Sequence, residues 1–490
     1  MAHGLPVLAA GLLLAAAVAA SLTASRLRLP ALVLFLGIGM AVGSDGAGWV
    51  RFEDYGVARD AGLLALAVIL FDGGLGTSVE ELRAVIRPAL KLAVLATAGG
   101  AALTGMLATL VLGMPIRDGL LVGAILGSTD SAAIFALVRG TSLRRRLERT
   151  LEGESGFNDP VAVLLVLTVT GWIVAGGWDV GSVGELLVRG LVGGVLVGLS
   201  AGRGAVWALQ KLPLPAPGLY PVASLSAAAL AYGGAEAVGG SGFLAVYLAG
   251  LMLADAPIQA RNTIGVFHEG AAWIAQIGLF LMLGLLVSPS QLSAVATDGI
   301  VLAVIALVAR PAAALAATAR EGFSLPERLV LGWAGLRGAV PVVLATLPVT
   351  AGVARGSYLF NIVFIVVVVT TLVQGATLEP LARRLRVTSR EPVRPRVLGD
   401  RGTVRRLGAE IVEYPVSPID GVVGRQVAHL ALPPEATVNV IVRGSEAIPP
   451  DGSVRIRAGD RLHLLVRHEV APAVAAIVSR WEAGQAETLA

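Results

Sequence analysis

The chain has 490 residues, of which 55% are hydrophobic and only 15% charged, and its formal net charge is +4. A soluble protein of this length cannot hide so much apolar side chain, because its surface must be mostly polar. The sequence contains no cysteine, which excludes disulfides, thiolate metal sites and cysteine catalysis. The basic residues form no nucleic-acid-binding surface. The composition therefore predicts an all-α integral membrane protein.

Along the chain, the hydropathy pattern predicts about 13 membrane-spanning helices in a transmembrane domain covering residues 1–382. The expected limits are 5–24, 29–43, 57–76, 84–112, 117–138, 150–176, 183–207, 219–238, 241–256, 263–287, 296–318, 327–350 and 356–382. The first segment follows no strongly basic stretch, so we expect a retained span and not a cleaved signal.

Loops that are rich in Arg and Lys alternate with poor loops along the whole series of predicted spans. A rich loop contains Arg144 to Arg146, whereas the loops near 178, 239 and 292 contain no Arg or Lys. Cytoplasmic loops carry the excess of basic residues in membrane proteins. The alternation therefore predicts a multi-pass protein of the cell inner membrane, with its N-terminus outside and its C-terminus in the cytoplasm.

The sequence changes character after the last predicted span. Residues 383–406 are rich in Arg and Pro, as expected of a cytoplasmic linker. Residues 407–478 contain short alternating strands, such as Ala436–Val442 and Arg461–Val466, separated by turn signals. This pattern predicts a small cytosolic α/β lobe, followed by a tail at 479–490.

The fifth predicted span is interrupted by polar residues. An ionisable residue within a span is costly, so each one is a candidate for function. Here Asp130 lies within Gly127–Ser131, a run of small and polar residues that forms poor helix and is unfavourable against lipid. We expect an unwound segment lining a cavity, whose oxygens, including those of Thr129, can coordinate a dehydrated cation.

Four oxygen-bearing side chains in the sixth predicted span share one helical face: Glu154, Ser155, Asn158 and Asp159. Hard oxygen donors of this kind suit an alkali cation. Two buried carboxylates, Asp130 and Asp159, would also repel each other when both are ionised. In the alternative interpretation, Ser155 and Asn158 merely cap the start of the helix, with Asp159-Pro160 as its first turn.

Two arginines lie in or near predicted spans: Arg310, before Pro311, and Arg337, within Gly335–Pro341. Each needs a counter-charge, and Glu154 is the natural partner for one of them. The stretch around Arg337 is rich in Gly and Pro, so it is also expected to be unwound. The two interrupted segments fall in the fifth and twelfth spans. These two spans are seven apart, and seven is an odd number. The two halves of the domain would therefore run through the membrane in opposite senses, as in transporters with inverted repeats.

Two further polar positions are less specific. Asp72 lies near the cytoplasmic end of the third predicted span and is either a site residue or a terminal acid held by a basic loop. His268 and Glu269 are expected at the membrane interface.

Six motifs are familiar when they are taken together: Phe71–Leu75, Gly127–Ala133, Glu154–Ala162, Gly242–Gly250, Trp273–Pro289 and Gly335–Pro341. They resemble the monovalent cation:proton antiporter-1 family, and in particular its NhaP-type potassium/proton branch. The resemblance implies an NhaA-like antiporter fold of about 13 transmembrane helices, with inverted repeats and two broken crossing helices. It also implies a homodimer in the lipid bilayer, in which a six-helix core carries the ion by an elevator-like shift.

The resemblance also implies roles for the site residues. The acid at Asp159 binds either a cation or a proton, and the alkali cation is held by Asp159, Thr129 and Ser155. Asp130 and Asn158 also shape this site. In having an Asn beside the carrier acid, this sequence is similar to the electroneutral members of the family. The resemblance also implies four supporting residues: Glu154, Arg310, Arg337 and Asp72. Of these, Glu154 and Arg310 form a pair. Some sodium/proton relatives place a Glu near Asp72, which leaves the role of Asp72 open.

Residues 407–478 look like the TrkA-C-like lobe of a regulator-of-potassium-conductance domain. Such lobes pair and often bind small ligands, so we expect a cytosolic ligand of nucleotide type at this lobe. This resemblance favours potassium as the transported ion.

The expected function is that of a secondary antiporter, not an enzyme, which exchanges potassium or sodium for protons without a cofactor. We expect the exchange to be electroneutral. One alternative is a sodium/proton antiporter of the same fold. A second is a cation channel, although the sequence has no filter segment of the Thr-Val-Gly-Tyr-Gly type. A third is an intramembrane aspartyl hydrolase with Asp130 and Asp159 as its dyad, although neither acid has the surroundings typical of such enzymes.

Overall fold

The computed structural model describes residues 4–27, 30–130, 143–177, 180–258, 260–388, 409–444, 446–482 and 484. The chain divides into two compact units. One contains residues 1–256 and 263–392, and the other contains residues 257–262 and 393–490.

Helices dominate the first unit. They are α1 (Gly4–Leu27), α2 (Ala31–Val42), α3 (Tyr55–Gly76), α4 (Val79–Lys91), α5 (Thr97–Leu112), α6 (Ile116–Ile125), α7 (Arg145–Ala175), α8 (Val180–Lys211), α9 (Leu219–Ala237), α10 (Gly242–Ala254), α11 (Arg261–Leu286), α12 (Pro289–Ala317), α13 (Leu325–Trp333), α14 (Ala339–Thr350) and α15 (Gly356–Arg384). A short π-helical segment, Leu92–Ala96, joins α4 to α5 without a break.

Within the described residues, six helices are long and apolar enough to cross a membrane, judged by length and composition. They are Val79–Leu112, Arg145–Ala175, Gly184–Lys211, Arg261–Leu286, Pro289–Ala317 and Gly356–Arg384. Several shorter helices are also apolar, among them α2, α10 and α14. Each of the 13 predicted segments overlaps a helix or a pair of helices. The second half of the fifth segment, beyond residue 130, lies outside the described part of the chain. The number of membrane crossings stays a prediction.

Two of the predicted segments contain a non-helical stretch, as their Gly-rich sequences indicate. Helix α6 ends at Ile125 and the backbone is not helical from Leu126 to Asp130. Likewise, α13 ends at Trp333 and α14 begins at Ala339. Helices α12 and α15 pack against each other, and so do α6 and α7. These contacts bring the two non-helical segments into the same bundle of helices.

The alternative interpretation of the sixth predicted span is wrong. Helix α7 begins at Arg145, so Ser155 and Asn158 lie well inside the helix and do not cap its start. His268 is fully buried in the protein, with its Nε2 atom 2.8 Å from Ser224 Oγ, and its ring packs edge-on against Phe71. Helix α11 begins at Arg261, about two turns before His268, and the position of this residue at the membrane interface stays a prediction.

The second unit contains a four-stranded antiparallel sheet and a helix. The strands are β1 (Ala409–Pro415), β2 (Ala436–Arg443), β3 (Glu446–Ile448) and β4 (Arg461–Arg467), followed by α16 (Ala471–Glu482). The order in the sheet is β1-β4-β2-β3. Along β4, every second residue is buried, namely Leu462, Leu464 and Val466, as expected of a strand with one face on a core. This is the small α/β lobe that the alternating pattern predicts. The linker and tail fall largely outside the described residues, so the domain limits stay predictions.

A buried acid, Asp460, fixes the turn that leads into β4. Arg443 donates two hydrogen bonds of 2.8 Å to its carboxylate, and the backbone N–H of Arg457 donates a third, also of 2.8 Å. Burial alone would raise the pKa of Asp460, but the hydrogen bonds and positive charge of Arg443, together with the Arg457 N–H, hold this pKa below its ordinary value. The ionised carboxylate therefore stabilises the folded lobe.

We expect Asp460→Asn to destabilise the second unit by about 1–3 kcal/mol at neutral pH, because an amide cannot accept the paired bonds of Arg443. Since folding lowers the pKa of Asp460, this contribution is present above about pH 4 and disappears as the pH falls through the lowered pKa. Hydrogen exchange of β2 and β4 in the full-length protein measures the effect. Asp451→Asn is the control, because within the described residues the carboxylate of Asp451 accepts a single hydrogen bond, from the exposed turn N–H of Ser453. Equal exchange in both variants would contradict the prediction.

Candidate functional site

Asp159 lies in the middle of α7 and only 8% of its surface is exposed. Its Oδ1 atom accepts a hydrogen bond of 2.7 Å from the hydroxyl of Ser128, in the first non-helical segment. Within the described residues, Asp159 forms no salt bridge with Arg, Lys or His. A buried carboxylate is stable only when its charge is compensated. The arrangement therefore leaves room for a mobile positive charge, either a metal ion or a proton.

Thr129, the residue after Ser128, contacts α7 through its carbonyl oxygen and through its hydroxyl. The carbonyl oxygen of Thr129 accepts a hydrogen bond of 3.1 Å from Ser155 Oγ and a longer one, 3.4 Å, from Asn158 Nδ2. Asn158 Nδ2 also donates to Thr129 Oγ1, at 2.5 Å. The amide thus ties the first non-helical segment to α7. Asn158 is completely buried, and its Oδ1 atom has no hydrogen-bond partner in the described part of the chain.

Glu154 lies one turn before Asn158 and forms a buried ion pair with Arg310, on α12. The exposed side-chain fractions of Glu154 and Arg310 are 1% and 4%. Thr129 Oγ1 lies 3.5 Å from Glu154 Oε1, at the limit of a hydrogen bond. This is the pair that the family resemblance implies. Because Glu154 already neutralises Arg310, the arginine is not available to Asp159.

The two non-helical segments are hydrogen-bonded to each other at two points. The backbone N–H of Asp130 donates to the carbonyl oxygen of Leu336, at 2.7 Å. In the reverse direction, Arg337 Nε donates to the carbonyl oxygen of Leu126, at 3.1 Å. The carboxylate of Asp130 lies against Gly338, where any Cβ atom would overlap it. Gly338 is the N-cap residue of α14, so the acid lies at the positive end of a helix dipole.

Arg337 is fully buried, yet its observed hydrogen bonds go to backbone oxygens, those of Leu126 and Ala306. The sequence analysis expected a counter-charge for this arginine, and the described residues provide no salt bridge to it. Its guanidinium instead binds a carbonyl at the end of α6, where the helix dipole is negative. Asp72 is half-buried in the last turns of α3, and its role stays a prediction.

Helix α10 packs closely against the same part of α7. Tyr247 is buried, and its ring lies so close to Gly156 that no Cβ atom would fit there. The ring also packs edge-on against Phe157, with 5.3 Å between the ring centroids. Gly156 therefore allows α10 to approach within van der Waals contact of the helix turn that carries Ser155 and Asp159.

The structure thus brings together five of the predicted site residues: Thr129, Glu154, Ser155, Asn158 and Asp159. Ser128, which donates to Asp159, is not among the predicted site residues, although it lies within the predicted polar run. Tyr247 is also not among them, because an aromatic side chain in an apolar helix looks like ordinary core.

The fold and the site together define a class of protein. A buried carboxylate accepts a hydrogen bond from the first of two non-helical segments, which are hydrogen-bonded to each other within an apolar helical bundle. Oxygen donors of this kind suit a dehydrated monovalent cation, and non-helical segments within helical bundles are typical of secondary transporters.

Comparison with known proteins agrees with this class. The family described as sodium/hydrogen exchanger, transmembrane, matches residues 12–384, and the TrkA-C domain matches residues 411–479. The chain is 37% identical to the K⁺/H⁺ antiporter NhaP2 of Shewanella baltica over 476 residues, which cover 96% of this chain and 82% of that protein. It is 40% identical to the K⁺/H⁺ antiporter NhaP of Alkalimonas amylolytica, over 79% of this chain and 68% of that protein.

A solved structure has the same fold. The sodium proton antiporter MjNhaP1 from Methanocaldococcus jannaschii matches with a TM-score of 0.68 at 22% identity, covering 78% of this chain and 99% of that chain. The chain belongs to the sodium/hydrogen exchanger family, with a TrkA-C domain after its membrane unit.

We predict that Arg310→Met destabilises the membrane unit by about 3–5 kcal/mol, because it leaves the charge of Glu154 buried and uncompensated. The double variant Glu154→Gln, Arg310→Met should recover much of this loss, since neither charge then remains. Thermal unfolding of the purified protein in detergent measures both effects. A double variant that is less stable than Arg310→Met would contradict the pairing.

Proposed function

We propose that this chain exchanges potassium or sodium for protons across the cell membrane, by competitive binding at Asp159. The observation that carries the proposal is the surroundings of this acid: it is buried, it accepts from Ser128, and it forms no salt bridge within the described residues. Membership of the sodium/hydrogen exchanger family supports a transporter and not a catalytic enzyme.

Competition at a single carboxylate couples the two fluxes. When it is ionised, Asp159 holds a dehydrated cation together with the Thr129 carbonyl oxygen and Ser155 Oγ. When it is protonated, Asp159 holds no cation. A bare charge is costly to move through a region of low dielectric constant, so only the two neutral states cross. The exchange is then electroneutral, and it needs no cofactor.

The contacts of α7 support this role for Thr129 and Ser155. Ser155 Oγ and the Thr129 carbonyl oxygen already lie 3.1 Å apart. A cation that enters between them replaces this hydrogen bond with two oxygen ligands. Asn158 also donates to the Thr129 hydroxyl, so the segment keeps its position when the ion leaves.

Potassium is the more strongly supported cation. The relatives that match over most of the chain bear the name K⁺/H⁺ antiporter. A Na⁺/H⁺ antiporter of Halobacillus dabanensis, NhaH, is 28% identical over 66% of this chain, which keeps sodium as the alternative. The TrkA-C domain also favours potassium.

We extend the proposal to the whole assembly. The chain crosses the inner membrane about 13 times, as inverted repeats with two broken crossing helices, with its N-terminus outside and its C-terminus in the cytoplasm. It works as a homodimer, and a small cytosolic ligand of nucleotide type binds the C-terminal lobe. The paired non-helical segments at 126–130 and 334–338 support the broken crossing helices, and the alternation of basic loops supports the orientation.

We expect Asp159→Asn to abolish exchange while the protein stays folded, because an amide neither binds a proton at this site nor neutralises a cation. Purified protein in liposomes is the system to use, with internal pH followed while potassium, sodium or lithium is added outside. Asp298→Asn is a matched control, since the carboxylate of Asp298 is bound by Tyr358 and not by the site.

Three outcomes are informative. Proton movement in Asp159→Asn on cation addition would contradict the site assignment. Cation flux without counter-moving protons in the natural sequence would indicate a channel. Proton-coupled flux would also exclude a protein that acts only as an aspartyl hydrolase.

A further inference from the structure

Helix α15 is strongly apolar, yet it carries three polar residues at a spacing of three: Thr371, Gln374 and Thr377. This spacing places them along one face of the helix. Thr371 and Gln374 are almost completely buried. A buried polar side chain in such a helix is normally hydrogen-bonded, and all three residues have a partner at the end of α13 or in the non-helical segment after it.

All three residues bind the second non-helical segment or the residue before it. Thr371 Oγ1 donates to the carbonyl oxygen of Arg337, at 2.7 Å, and Gln374 Nε2 donates to the carbonyl oxygen of Trp333, at 2.9 Å. Thr377 Oγ1 accepts from the indole N–H of Trp333, at 2.9 Å. The end of a helix leaves carbonyl groups without partners in the helix itself. Helix α15 supplies a partner for one of these, that of Trp333, and for the carbonyl of Arg337 in the non-helical segment.

A series of hydrogen bonds connects Thr371 to the residues around Asp159. Thr371 holds the backbone of Arg337, whose side chain binds the end of α6 at Leu126. The neighbouring carbonyl, of Leu336, binds the backbone of Asp130. The segment between Leu126 and Asp130 contains Ser128 and Thr129, which bind Asp159 and Asn158. A shift of residues 334–338 therefore moves the oxygens around Asp159.

We propose that Thr371 and Gln374 are positioning residues for the cation site. They do not touch the ion. They hold the second non-helical segment at the place where the first can present Ser128, Thr129 and Asp130 to α7. This positioning role rests on the proposed function when it is tested by transport. It can also be tested by cation binding alone, which does not depend on transport.

The neighbouring residue provides a matched control. Thr370 is equally buried, but its hydroxyl donates only to carbonyl oxygens of its own helix, those of Val366 and Val367. Thr→Val removes the hydroxyl at either position with almost no change of shape. Thr371→Ser retains the hydroxyl. The three variants therefore separate the bond to Arg337 from general effects of a polar group in α15.

The test compares Thr371→Val, Thr370→Val and Thr371→Ser in liposomes, and measures the cation concentration for half-maximal exchange and the maximal rate. A second assay measures the concentration of potassium or sodium that half-saturates thermal stabilisation of the purified protein. We expect Thr371→Val to raise both half-saturating concentrations about five-fold, as the loss of one hydrogen bond would. The maximal rate should change little. Thr370→Val and Thr371→Ser should resemble the natural sequence.

The proposal fails if Thr371→Val and Thr370→Val have the same half-saturating concentrations, or if Thr371→Ser does not restore affinity. A purely structural role would lower the yield of folded protein and the maximal rate, and leave these concentrations unchanged. If Thr371→Val does not fold, Gln374→Met carries the same comparison. If the natural sequence shows no exchange, the proposed function fails, and the binding assay alone decides the role of Thr371. If no alkali ion stabilises the natural sequence, both proposals fail.

Discussion

The structure depends on one unusual arrangement, a buried carboxylate without a permanent basic partner among the described residues. Asp159 lies in an apolar bundle, where an uncompensated charge is costly. Ser128 donates to its carboxylate, and the next residue, Thr129, is bound through its carbonyl oxygen to the amide of Asn158, one residue before the acid. Under the proposed function, a small positive charge that can be exchanged compensates the carboxylate.

The two nearby arginines keep this arrangement open because each is bound elsewhere. Arg310 forms an ion pair with Glu154. Arg337 donates to carbonyl oxygens at the end of α6 and in α12. If either guanidinium were bound to Asp159, the carboxylate would have a fixed partner and no need of a cation. Arg337 thus links the two non-helical segments, and neither arginine forms a salt bridge with Asp159 among the described residues.

Much of the fold could be predicted because long apolar runs and basic loops are local signals. The positions of Glu154, Ser155, Asn158 and Asp159 on one face also followed from spacing alone. The burial of His268 could not be predicted, since its neighbours, Ser224 and Phe71, lie far from it in the sequence. The partner of Arg337 was also missed, because backbone carbonyls that accept a guanidinium leave no trace in residue identity. For Thr371 and Gln374 a signal exists: their spacing of three in an apolar helix.

The central claim is that a cation and a proton compete for the same carboxylate. Calorimetric titration of the purified protein with potassium, repeated in buffers with different heats of ionisation, counts the protons released as the cation binds. If Asp159 is the shared site, the natural sequence releases a proton for each cation bound, at a pH where the acid is protonated beforehand. Cation binding with no proton release across the pH range where exchange occurs would contradict the claim.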